Sequence, residues 1–161
     1  MGRLDGKVAI VTGGGNGLGR ATAVRFAEEG AAGVVVADLL EGPARETIAE
    51  IEAAGGRAVF SPLDAVRRAD NEAMVAAAVE HFGRLDVLFT AAGVSHGGYR
   101  SGDLDASRKR MLERVDNVAT PWVPFLELTV DEFQAVLDVN LTGTLLAVQS
   151  VAAHLVDAGH P

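Results

Sequence analysis

The residues best placed to do chemistry form one run, Thr12-Gly13-Gly14-Gly15-Asn16-Gly17-Leu18-Gly19. Glycine admits positive φ at little steric cost and brings the main chain against a ligand with no side chain between. If a helix starts here, the N–H groups of its first turn have no intrahelical partner and favour a pyrophosphate. Asp38 lies nineteen residues past Gly19, after an apolar run, where a carboxylate can bind ribose hydroxyls. A carboxylate there repels a 2′-phosphate, and neither Asn16 nor Leu39 supplies a cation to hold one. NAD is therefore expected over NADP. A glycine turn with no ligand is the plainer account of the loop alone; the strand before it, the helix after it and Asp38 favour the ligand.

The elements that must position these groups alternate. The β-branched run at 8–11 reads as a strand, 17–29 as a helix, and Val34-Val35-Val36 as a second buried strand closed by Asp38. Ala44, Ile48 and Ile51 recur at helical spacing before the breaker Gly55-Gly56, and a third strand is expected at 57–60. Val75, Ala78, Val79 and Phe82 mark another helix, and 86–89 a fourth strand leading into Ala91-Ala92-Gly93. Strands alternating with helices imply βαβ units and a parallel sheet. The segment at about 94–124 breaks the rhythm: it opens glycine-rich, carries Arg108-Lys109-Arg110, and leaves room for a short helix near 107–115. Beyond it, Thr129 and Glu132 fit a capping box, with Leu128 and Phe133 as a staple. Phe133, Leu137, Leu141, Leu145 and Val148 continue as the apolar stripe of a helix over about 130–156.

Bulk properties bound the function. The 161 residues suit one domain of α/β class, 48% hydrophobic and 22% charged. A net charge of −8 repels phosphate backbones, so nucleic acid is not an expected partner. The chain has no cysteine, which excludes disulfides, thiol nucleophiles and thiolate metal sites. His96 stands without neighbouring ligands, so no metal is expected. The N-terminal apolar run is too short for a signal peptide, and no stretch approaches eighteen continuous apolar residues. A cytoplasmic protein without a membrane partner is expected.

The glycine spacing excludes G-x-G-x-x-G and fits T-G-x-x-x-G-x-G, which resembles the short-chain dehydrogenase/reductase family. The resemblance extends through Gly6-Lys7-Val8-Ala9-Ile10-Val11-Thr12-Gly13, Leu63-Asp64, Leu85-Asp86-Val87-Leu88 with Ala91-Ala92-Gly93, and Val139-Asn140-Leu141. It implies a Rossmann-type doubly wound parallel sheet and hydride transfer between NAD(H) and a secondary alcohol or ketone. It places Gly13, Asn16, Gly17, Leu18 and Gly19 at the pyrophosphate and Asp38 at the adenosine ribose. Asp64 falls at the adenine ring, with Ala92 and Gly93 along the cofactor. By the same resemblance Asn140 is the active-site asparagine, holding a water that links a catalytic lysine to solvent. From its place on the apolar stripe alone, Asn140 reads as a hydrogen-bonded helix amide.

Three departures stand out. Thr90 and Ala91 occupy positions where the family usually has two asparagines, the second of which ties the central strands together. Forty-seven positions separate Gly93 from Asn140, more than the family's usual connection. The surplus suits a surface excursion better than a substrate lid or oligomer contact. Third, the family's serine and Tyr-x-x-x-Lys pair are absent: Tyr99 is followed four positions on by Asp103, and the lysines are Lys7 and Lys109. The expectation is an incomplete domain over 1–161, ending after the fourth strand and the long helix, inactive alone and poorly soluble or partly molten. The resemblance implies a homo-oligomer for a full-length form, the long helix pairing across subunits. The alternative is a non-catalytic NAD-binding or interaction module.

Overall fold

A computed structural model describes residues 2–95, 112 and 126–159. Apart from Leu112, the 107–115 helix lies outside the described residues, as do His96, Tyr99 and most of the 94–124 segment. Four strands form one sheet: β1 (Val8–Thr12), β2 (Gly33–Asp38), β3 (Ala58–Pro62) and β4 (Val87–Thr90). All pairings are parallel, in the order β3-β2-β1-β4. The expected Rossmann-type sheet is present, with β3 and β4 each shifted one residue or so from their sequence-based limits.

Helices cover both faces, and for that reason the central strands read as unbroken apolar runs rather than alternating ones. On one face α1 (Gly17–Glu28) and α2 (Glu41–Ala53) bury Val11, Val34 and Val36 against Ala23, Ala44, Ile48 and Ile51. On the other, α3 (Arg68–Phe82) supplies Met74, Val75 and Ala78 to Val8, Ile10, Val35 and Ala37. Pleating sends Val34 and Val36 to one core and Val35 and Ala37 to the other. Ile10 is fully buried. Its truncation to Ala would cost about 2–5 kcal/mol.

The long C-terminal helix comes in three parts: α4 (Val130–Leu137), a π-helical segment (Asp138–Gly143) and α5 (Thr144–Asp157). The capping box at its start is formed in both directions, Glu132 N–H donating to Thr129 Oγ1 and Thr129 N–H to Glu132. Its orientation corrects the sequence-based stripe. Gly143, Ala147, Ser150 and Val151 face inward, while Leu141 and Leu145 are 64% and 54% exposed. The inward set is small because the helix must approach closely: a Cβ on Gly143 would stand 2.9 Å from the Ala65 Cβ. Val130–Asp157 is long and apolar enough to cross a membrane by length and composition, but Ala147 and Val151 belong to the core of the α3 face.

Candidate functional site

The chain winds outward from β1 through β2 to β3, then returns to place β4 on the other side of β1. At such a switch point the connections leave the sheet in opposite directions and open a crevice at the carboxyl ends of the strands. A cleft of about 310 Å³ lies there, lined from all four strand ends: Gly13 after β1, Asp38 closing β2, Asp64 after β3, and Ala92 and Gly93 after β4.

The glycine run makes its floor. Gly13 takes a φ of 64°, and a Cβ on it would come 2.8 Å from Ala92 N. At Gly19 a Cβ would lie 2.0 Å from Gly13 O, so no side chain lets α1 begin this close to β1. Asn16 is the N-cap of α1 in extended conformation, and its side chain makes no capping bond. The first N–H groups of α1 are thus left to a ligand, and the helix dipole favours a negative one. Leu18 stands 81% exposed at the cleft, an apolar side chain without protein cover.

Two groups hold the run from behind. Asp38 accepts from Gly15 N–H and from Leu40 N–H, each at 2.9 Å. One lone pair on each carboxylate oxygen remains for ribose hydroxyls. Thr47 of α2 is fully buried and donates to Gly14 O at 3.0 Å. Across the cleft, Thr12 Oγ1 accepts from Ala91 N–H and Ala92 N–H, both at 3.1 Å. That hydroxyl joins β1 to β4, although the residue after Thr90 is Ala and not the family's asparagine. Asp64 Oδ1 accepts from Val66 N–H at 3.2 Å.

Asn140 lies in the π-helical segment and points to the loop leaving β4. Its Oδ1 accepts from Val94 N–H at 2.8 Å and its Nδ2 donates to Val94 O at 3.0 Å. Asn140 is exposed, with one donated and one accepted amide bond to Val94, and its neighbour Val139 is the residue that lines the cleft. These features fit a dinucleotide: an uncapped helix start, a glycine cradle without Cβ atoms, and a carboxylate at the far end.

Residues 7–160 match the short chain dehydrogenase family. The chain belongs to that family. Over 108 residues it is 50% identical to the 2,5-dichloro-2,5-cyclohexadiene-1,4-diol dehydrogenase of Sphingobium indicum, covering 66% of this chain and 43% of that enzyme. The crystal structure of a short chain dehydrogenase from Mycobacterium avium superposes with a TM-score of 0.75 at 33% identity, over 100% of this chain and 51% of that one. A short-chain dehydrogenase/reductase from Burkholderia phymatum, solved in complex with NAD, gives a TM-score of 0.71 at 29% identity, over 95% of this chain and 45% of that one. The chain spans about half the length of these relatives.

For this short-chain dehydrogenase chain, all nine expected cofactor residues line the one cleft: Gly13, Asn16, Gly17, Leu18, Gly19, Asp38, Asp64, Ala92 and Gly93. Asn140 stands beside it and holds Val94, which does line it. Sequence reasoning missed Thr47 and Val139. Thr47 left a signal, a polar residue inside the buried stripe Ala44, Thr47, Ile48 and Ile51. Val139 stands in the Val139-Asn140-Leu141 match, but that alone does not turn its side chain to the cleft, which it lines from the π-helical segment.

Proposed function

We propose that this chain is the cofactor-binding part of an NAD-dependent oxidoreductase that moves a hydride between NAD(H) and a secondary alcohol or ketone. The observation that carries this proposal is the uncapped start of α1 opening on the same cleft as the Asp38 carboxylate. Gly13, Asn16, Gly17, Leu18 and Gly19 receive the pyrophosphate, chiefly through main-chain N–H groups. Asp38 takes the adenosine ribose, and its charge disfavours a 2′-phosphate. Asp64 meets the adenine, while Ala92 and Gly93 border the middle of the cofactor. Bound there, the nicotinamide supplies or accepts the hydride.

Asn140 has a supporting part: its amide sets the loop at Val94, and in the proposal it joins the proton relay of the active site. The substrate class draws support from the Sphingobium diol dehydrogenase, and the cofactor from the Burkholderia complex with NAD. Within these 161 residues no lysine lies four positions after a tyrosine, so the chain's own contribution is binding and placement. Calorimetric titration with NAD and NADP tests the proposal. NAD is expected to bind at least about tenfold more tightly, a gap that Asp38→Ala closes; one lost charge-assisted contact is of that size. Equal affinities in the wild type would sink the role of Asp38, and no binding of either would sink the proposal.

A further inference from the structure

Asn71 occupies a place in the buried stripe of α3, beside Met74, Val75 and Ala78, and is 0% exposed. Its Nδ2 donates both hydrogens to the turn after β3, to Ala65 O and to Arg67 O, each at 2.9 Å. Its buried Oδ1 has no hydrogen-bond partner among the described residues. An apolar side chain of this size would fill the same stripe without an orphaned oxygen. Core filling therefore does not account for an amide here, whereas the two bonds to the turn do. Leucine has no donor, aspartate accepts only, and serine has one donor; the planar amide can hold two carbonyls at once.

The turn it grips is the wall of the cleft that carries Asp64 and Ala65. Asp70, next to Asn71, accepts from Asp64 N–H at 3.0 Å, and Arg67 N–H donates to Asp64 O at 2.9 Å. From the opposite side the π-helical segment presses Gly143 against Ala65. We propose that Asn71 is a positioning residue for the adenine end of the cleft: it sets the 63–67 turn at the depth where Asp64 and Ala65 receive adenosine. This rests on the cofactor assignment proposed above.

The test separates the two halves of the dinucleotide. AMP, nicotinamide mononucleotide and NAD are titrated into the wild type and Asn71→Leu, with thermal unfolding measured in parallel. The leucine variant is expected to bind AMP and NAD about tenfold more weakly, as for loss of a well-placed hydrogen-bonding group. The mononucleotide affinity should stay within about twofold, because the proposed assignment sets the adenosine half, not the nicotinamide half, on this turn. Asn71→Ser, which keeps one donor, should fall between, and it carries the test if the leucine variant does not fold. Unchanged AMP affinity, or an equal loss for AMP and the mononucleotide, overturns the inference. A wild type that binds no AMP overturns the cofactor assignment itself, and the inference with it.

Discussion

At the level of single residues, two aspartates do for the main chain what secondary structure alone leaves undone. Asp38 closes the carboxyl end of the sheet by gripping Gly15 and Leu40. Asp86 works at the opposite end, accepting from Val8 N–H at 2.9 Å and from Arg84, with Lys7 Nζ at 3.4 Å. Burial opposes ionisation of Asp86, but the bonds from Arg84 and Val8 N–H, with the charges of Arg84 and Lys7, outweigh it. The carboxyl is held below the usual aspartate range. A depressed pKa contributes stability that is present above the unfolded value and is lost as pH falls through the folded one. Asp86→Asn is therefore expected to be about 1 kcal/mol less stable than wild type at neutral pH, half-exposed Arg84 and Lys7 keeping the figure small. That gap should close below about pH 4. Urea unfolding across pH 3 to 7 measures it, and a gap that stays constant or widens in acid would contradict the assignment.

At the level of elements, the sheet was legible in the sequence and the long helix only in part. Runs such as Val34-Val35-Val36 between breakers admit little but a buried strand, and the Thr129/Glu132 pair marks a helix start by its own chemistry. The glycine run and Asp38 announced the cleft because their function is local and depends on fixed spacing. The facing of 130–156 was not legible. Large apolar residues suggested the inward side, but the docking contact is set by how closely the helix backbone must come to Ala65, which only Gly143 permits. A six-residue π-turn also shifts the register of everything after it, which no 3.6-residue period anticipates. By spacing Asn140 falls on the apolar stripe, yet it is exposed and its amide pairs with Val94. Gly143→Ala tests the close approach through opposing effects. Helix propensity favours alanine by up to about 1 kcal/mol, while crowding in a packed contact costs about 1–3 kcal/mol. Crowding is expected to win, with a net loss of about 1 kcal/mol in denaturant unfolding. A more stable variant would mean that the Ala65 turn yields and the contact is loose.

For the molecule as a whole, the two ends of the sheet differ. On the β3 side, Pro62 pairs in position with Asp38, while the ladder bond to Asp38 O comes from Leu63 N–H. The N–H that proline lacks thus falls on the outer edge, a common way of blunting one. On the β4 side no such device is present among the described residues, and Phe89 of β4 is partly exposed. On the other face of the sheet, Leu141, Leu145 and Val148 stand out from the long helix. Exposed apolar side chains drive association in proportion to the area removed from water, about 25 cal/mol per Å². The net charge of −8 opposes it through repulsion between chains, and salt screens that repulsion while leaving the apolar term intact. The chain is expected to self-associate, and more so as salt rises. Light scattering behind size exclusion at low and high salt measures this. Replacing Leu145 and Val148 together by Glu should restore the monomer with the melting midpoint little changed, because both side chains are about half exposed and contribute little to the core. A wild-type chain that stays monodisperse and monomeric at high salt, with a sharp cooperative melt, would show that this face is tolerated in water and that the helix is stable without cover.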